Sequence, residues 1–130
     1  MNFPPALKLG ELIRLLEQRL RIHGDQDLRF DFEYCAPDHL HSYRGFYEDL
    51  AVGWLPNESA RPARLATTSS FLEALRSAVG SEFHGWKGGT YIMTNESSVW
   101  VANPGDVGGT VITGIADEDA LTVLNTEYQG

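Results

Sequence analysis

The chain has 130 residues, 42% of them hydrophobic and 11% aromatic, which suffices for one core and is too little for two. Its formal net charge of -8 is unevenly placed: all ten Lys and Arg residues lie between Lys8 and Lys87, and six acids with no base follow from Glu96 to Glu127. Such a field argues against binding a duplex phosphate backbone, and no apolar run approaches the roughly 20 residues of a membrane span. Met1 to Pro5 is short and uncharged, unlike a signal or transit peptide, and a lone Cys35 suits a reducing compartment. A soluble, cytoplasmic, single-domain protein (residues 1–130) is expected, with no membrane partner.

The first periodic segment, Leu9 to Leu20, places Leu9, Leu12, Ile13, Leu16 and Leu20 at steps of three and four, the stripe of an amphipathic helix broken by Gly24 and Asp25. In Leu28 to Tyr34, Leu28, Phe30 and Phe32 alternate with charged residues, the period of a strand buried on one side. A loop with Pro37 and Gly45 follows, then a second strand around Leu50, Val52 and Trp54. The polar, proline-bearing stretch from Pro56 to Thr68 reads as a surface connection. A second helix starts at Ser69 or Ser70, with Ser70 and Glu73 at capping-box spacing, and buries Phe71, Leu72, Leu75 and Val79 before Gly80. Beyond the glycine-rich FHGWKGG, four short strands are predicted at Thr90 to Thr94, Ser98 to Ala102, Gly109 to Ala116 and Leu121 to Glu127. The expected fold is α+β, with two helices packed on one face of a mainly antiparallel sheet of about six strands.

No nucleophile elbow, Walker phosphate loop, dinucleotide fingerprint or paired zinc cysteines occur, so no catalytic residues are assigned and the protein is not read as an enzyme. In CAPDHLH, the donors Cys35, Asp38, His39 and His41 suit zinc in type, but their spacing matches no standard site. The histidines are therefore read as exposed loop residues, Cys35 as a structural thiol, and no metal or cofactor is assigned. Two other blocks combine cations, aromatics and glycines. In SYRGFY, Arg44 offers planar recognition of a phosphate, flanked by Tyr43, Phe46 and Tyr47. In GWKGG, Lys87 is a point charge beside Trp86, and Gly88 and Gly89 let backbone N–H groups approach an anion. Planes for a base and cations for its phosphate make Tyr43, Arg44, Tyr47, Trp86, Lys87, Gly88 and Gly89 the candidate ligand-binding set. The bland alternative has the aromatics covering core or a sheet edge, Arg44 paired with an acid, and Gly88-Gly89 serving only as a tight turn.

Through SYRGFYEDLAVGW, FHGWKGGTYIM and VWVAN, the chain resembles a family of small proteins encoded by bacteriophages and mobile elements. Ser42, Tyr43, Arg44, Gly45 and Tyr47 match its Ser-Tyr-Arg-Gly-x-Tyr pattern; Trp86 to Gly89 match aromatic-Lys-Gly-Gly, where tyrosine is more usual than Trp86; Trp100, Val101 and Ala102 match the third block. The Pro56 to Thr68 connection and CAPDHLH depart from the family. The resemblance implies a phage-type accessory protein acting in the bacterial cytosol against host immunity.

Three roles follow as expectations. The first is a binder that sequesters a small nucleotide immune signal without turnover, its site lying between subunits of a homo-oligomer because a fold of this size has limited concave surface. The second is an inhibitor of a host defence protein, such as a CRISPR effector, that uses the acidic half and Asp117, Glu118 and Asp119. The third is a structural or assembly role in the phage particle.

Overall fold

The computed structural model describes residues 6–32, 34–42, 49–56, 58–85, 88–103, 109–116, 118 and 120–129. Helix α1, Leu9–His23, forms because Leu9, Leu12 and Leu16 return to one side of the helix, where all three are fully buried. Ile13 and Leu20 pack at the margin of the same stripe. The helix runs past Leu20 to His23 and ends at Gly24, whose φ of 76° favours a residue without a side chain.

Strand β1, Leu28–Phe30, is shorter than the alternating pattern through Tyr34 predicts. The Asp31 carboxylate accepts hydrogen bonds from the Thr126 N–H (2.9 Å) and hydroxyl (2.5 Å), and Tyr34 takes up φ 48°, so the chain turns where the sequence pattern alone would continue. Phe32 still packs inward, stacking on Phe30 at 5.0 Å between ring centroids and meeting the Trp54 ring edge-on at 5.9 Å. Cys35–His41, read from sequence as loop, is strand β2. Pro37 hides it from sequence reading, because proline cannot donate to a ladder; β2 tolerates it as the last strand of the sheet and with a register shift between Pro37 and His39.

Strand β3, Asp49–Pro56, carries the Leu50, Val52, Trp54 alternation and pairs antiparallel with β2. Helix α2, Thr68–Ala78, is capped by Thr67 rather than by Ser69 or Ser70. Thr67 has the extended backbone an N-cap needs and its hydroxyl accepts from the Ser70 N–H at 3.2 Å, while Asp25 accepts from the Ser69 N–H at 2.9 Å. Phe71, Leu72, Leu75 and Ala78 face the core, with Val79 partly buried beside them.

The remaining strands are β4 (Glu82–His84), β5 (Thr90–Ile92), β6 (Ser98–Val101), β7 (Thr110–Ala116) and β8 (Thr122–Tyr128). β4 was not anticipated, since it sits within the glycine-rich stretch and pairs only with β5 in a separate two-stranded ribbon. The six-stranded sheet has the order β1-β8-β7-β6-β3-β2. Its β8/β7, β7/β6 and β3/β2 pairs are antiparallel, whereas β1/β8 and β6/β3 are parallel, so the sheet is mixed. β1 and β2, the two ends of this order, lie against each other, and the sheet curls toward a barrel. The core between helices and sheet joins Leu9, Leu12 and Leu16 to Phe71, Leu75, Leu50, Val52, Val99, Ile112 and Leu124.

Leu12 makes no contact with solvent, whereas Ile22 on the same helix is 66% exposed. Replacing Leu12 by Ala is expected to lower unfolding free energy in urea by about 2–5 kcal/mol, against under about 0.5 kcal/mol for Ile22→Ala.

Candidate functional site

The two cation-bearing blocks meet at their described ends. Ser42 and Gly85, the residues that open SYRGFY and GWKGG, form a parallel bridge. Ser42 is buried and its hydroxyl has no hydrogen-bond partner among the described residues. Tyr43, Arg44, Tyr47, Trp86 and Lys87 lie outside the described residues. Gly88 and Gly89 are exposed and adopt φ 107° and 83°, a region that L side chains rarely enter. They close the β4–β5 turn: the Gly88 N–H donates to the Gly85 carbonyl at 2.9 Å and the Gly85 N–H to the Gly89 carbonyl at 2.8 Å. Of the two glycine N–H groups expected to face an anion, that of Gly88 is therefore committed to the turn. His84 supports the same ribbon, its Nδ1 lying 3.0 Å from the Thr90 hydroxyl.

The segment CAPDHLH is not an exposed loop. Cys35 to Asp38 are buried, and His39 and His41 are half-buried. Asp38, at the register shift of β2, is the hub. Its Oδ1 accepts from Arg61 Nη1 (2.7 Å) and from the Arg64 N–H (3.1 Å); its Oδ2 accepts from Arg61 Nη2 (2.9 Å) and His39 Nδ1 (3.0 Å). The Arg61 fork, with further donors from His39 and the Arg64 backbone, holds the Asp38 carboxyl well below the usual carboxylate range against the opposing effect of burial. These contacts also pin the Pro56 to Thr68 connection onto β2, with the Leu65 N–H donating to the Pro37 carbonyl at 3.0 Å.

His39 and His41 stand two residues apart on β2 with ring centroids 5.3 Å from each other. His39 lies opposite Gly53 and His41 opposite Ala51. A Cβ at position 53 would come within 2.2 Å of His39 Nε2, so the ring rests where only glycine leaves room. His39 donates from Nδ1 to Asp38, and His41 donates from Nε2 to the Ala102 carbonyl at 2.5 Å. The other nitrogens, His39 Nε2 and His41 Nδ1, are buried without a hydrogen-bond partner among the described residues, as is Trp100 Nε1 on the next strand but one. Burial, with the neighbouring His39, pushes the His41 pKa down and keeps its ring neutral. The sequence offers these histidines but not Arg61, Arg64 and Gly53 as their surroundings, because the arginines come from the connection after β3 and the glycine from β3 itself.

A further cation with an aromatic partner went unnoticed in the sequence. The Arg29 guanidinium lies 5.1 Å from the Tyr34 ring centroid, beside a concavity of about 330 Å³ that Asp31, Phe32 and Glu118 also line. Two carboxylates in that lining oppose a phosphate there. Arg19 is buried as well, and its guanidinium donates to the carbonyls of Ala116 (3.4 Å), Leu121 (2.9 Å) and Glu118. It thereby ties Ala116, Glu118 and Leu121 to α1; Asp117 and Asp119 lie outside the described residues. Among the described residues no helix is long and apolar enough to cross a membrane. Comparison with protein-family models, curated proteins and solved structures yields no match to this chain.

Two acid-sensitive steps follow from these groups. His41 binds its proton less readily folded than unfolded, so stability is expected to decline as pH falls below the ordinary histidine value of about 6.5. Asp38 stabilises the fold above the ordinary carboxylate value of about 3.9, and that stabilisation is lost as pH falls toward its lower folded value. Urea unfolding from pH 7.5 to 3 should show the upper step removed by His41→Gln and the lower one reduced by Arg61→Ala.

Proposed function

We propose that the protein is a phage-type accessory protein that counters bacterial immunity by sequestering a small nucleotide signal, without turnover, in the host cytosol. What carries the reading is the bridge between Ser42 and Gly85, which starts both cation-bearing blocks at one point of the fold. In the sequence, Arg44 and Lys87 each follow a bridged residue by two positions, a tether of about 7 Å at full stretch. Two cations so tethered can serve the phosphates of one ligand, while Tyr43, Tyr47 and Trp86 supply planes for its bases. Gly88 and Gly89 add no side chains of their own beside that point. Sequestration needs tight stoichiometric binding and no catalytic group. Titration calorimetry against cyclic di- and trinucleotides and ADP-ribose derivatives is expected to give saturable binding that Arg44→Ala and Lys87→Ala each weaken at least tenfold. No heat across that panel would sink the proposal.

A second reading is favoured by Arg19. A buried guanidinium holds the backbone of Ala116, Glu118 and Leu121, which fixes where the acidic stretch leaves and rejoins the sheet and suits a basic patch on a host defence protein. Under it, reversing Asp117, Glu118 and Asp119 to Lys abolishes inhibition in a defence assay with the fold intact; under the nucleotide reading, the same triple variant keeps its activity.

A further inference from the structure

The orientation of His39 and His41 points beyond anion binding. A neutral imidazole has one N–H and one lone pair, and a metal-ligating histidine commonly spends the N–H on a carboxylate or a backbone carbonyl, leaving the other nitrogen for the ion. Both rings follow that pattern. His39 gives its Nδ1 hydrogen to the Asp38 carboxylate and His41 its Nε2 hydrogen to the Ala102 carbonyl, and the lone pairs on His39 Nε2 and His41 Nδ1 are buried with no donor among the described residues. A buried acceptor without a donor is costly, and a bound cation relieves two such costs at once.

The spacing suits one ion. Zinc–nitrogen bonds of about 2.0–2.1 Å at a tetrahedral angle place the centroids of two ligating imidazoles about 5 Å apart. The His39 and His41 centroids are 5.3 Å apart. The residues opposite them on β3 are Gly53 and Ala51, among the smallest side chains available. Cys35 faces the hydrophobic core, and Asp38 is saturated by Arg61, Arg64 and His39, so neither acts as the zinc donor its sequence neighbourhood suggests. Asp38 instead orients His39.

We infer that His39 Nε2 and His41 Nδ1 form a two-histidine site for a borderline divalent cation, best matched by Zn²⁺. Imidazole is the ligand type that prefers such ions, and a protein of net charge -8 attracts cations. Two described side chains make up its protein ligands, and a tetrahedral ion would complete its coordination with water or an anionic ligand. The site stands independently of the nucleotide reading.

The test uses the full chain, stripped with a chelator and titrated with Zn²⁺ alone in competition with a chromophoric chelator. One ion per chain is expected, with affinity falling at least tenfold in His39→Ala and in His41→Ala. Gly53→Ala, which keeps both ligands but drives a methyl group into the His39 ring, should weaken binding too. Because a variant of β2 can fail to fold, ¹⁵N-histidine NMR of the wild type provides a second arm. Before Zn²⁺ is added, His39 is expected as the Nδ1–H tautomer and His41 as the Nε2–H tautomer. Zn²⁺ should then shift His39 Nε2 and His41 Nδ1 while His23 and His84 stay in place. Absence of saturable one-to-one binding by the wild type, shifts at His23 or His84 instead, or unchanged affinity in folded His39→Ala and His41→Ala would overturn the proposal.

Discussion

A carboxylate taken out of water has to be surrounded by donors, and that requirement at Asp38 organises one whole side of this molecule. The side chain is 3% exposed and is met by a guanidinium fork, a backbone N–H and an imidazole N–H. Each donor fixes something different. Arg61 and the Arg64 backbone tether the long connection that leads to α2; His39 has its tautomer set; and the register shift in β2 turns Asp38 toward these donors rather than toward the core. Removing the carboxylate would release all three together.

The same economy of groups appears at Arg19. A buried guanidinium is met there by main-chain carbonyls and the side-chain oxygen of Gln26, so the last turn of the sheet is held to the first helix across about a hundred residues of chain. The fold thus carries two anchored polar centres outside its aliphatic core. One shapes the face that bears the histidines, the other the turn that bears the acids. The net negative charge is not spread evenly over these features, and at short range neighbouring charges outweigh a screened distant field.

Much of the architecture was legible in the sequence because burial imposes periodicity. The stripes of both helices and the alternation of Leu50, Val52 and Trp54 arise from side chains that must face one core, and they were read with small errors at the ends. The errors have local causes: Asp31 ends β1 by bonding to Thr126, and Thr67 caps α2 because its backbone is already extended. β2 looks like a loop in the sequence because it holds Pro37 and four potential metal donors, whereas an edge position and a register shift make it a strand. The mainly antiparallel α+β architecture follows from the sequence, whereas β2 and β4 do not, and β5 joins the separate ribbon rather than the six-stranded sheet.

What the sequence by itself determined is therefore the α+β composition, the two amphipathic helices, the strand-rich second half and the identity of the residues able to do chemistry. Hydrophobic period and residue type are local properties, and they survive without knowledge of partners. Only the tertiary structure decided that β1 and β3 run parallel to β8 and β6, that Ser42 meets Gly85, and that Asp38 belongs to Arg61 rather than to a metal. It also decided which nitrogen of each histidine is spent and which is left. Those outcomes depend on contacts between residues far apart in the chain, where geometry and the need to satisfy every buried polar group select one pairing among many that composition allows.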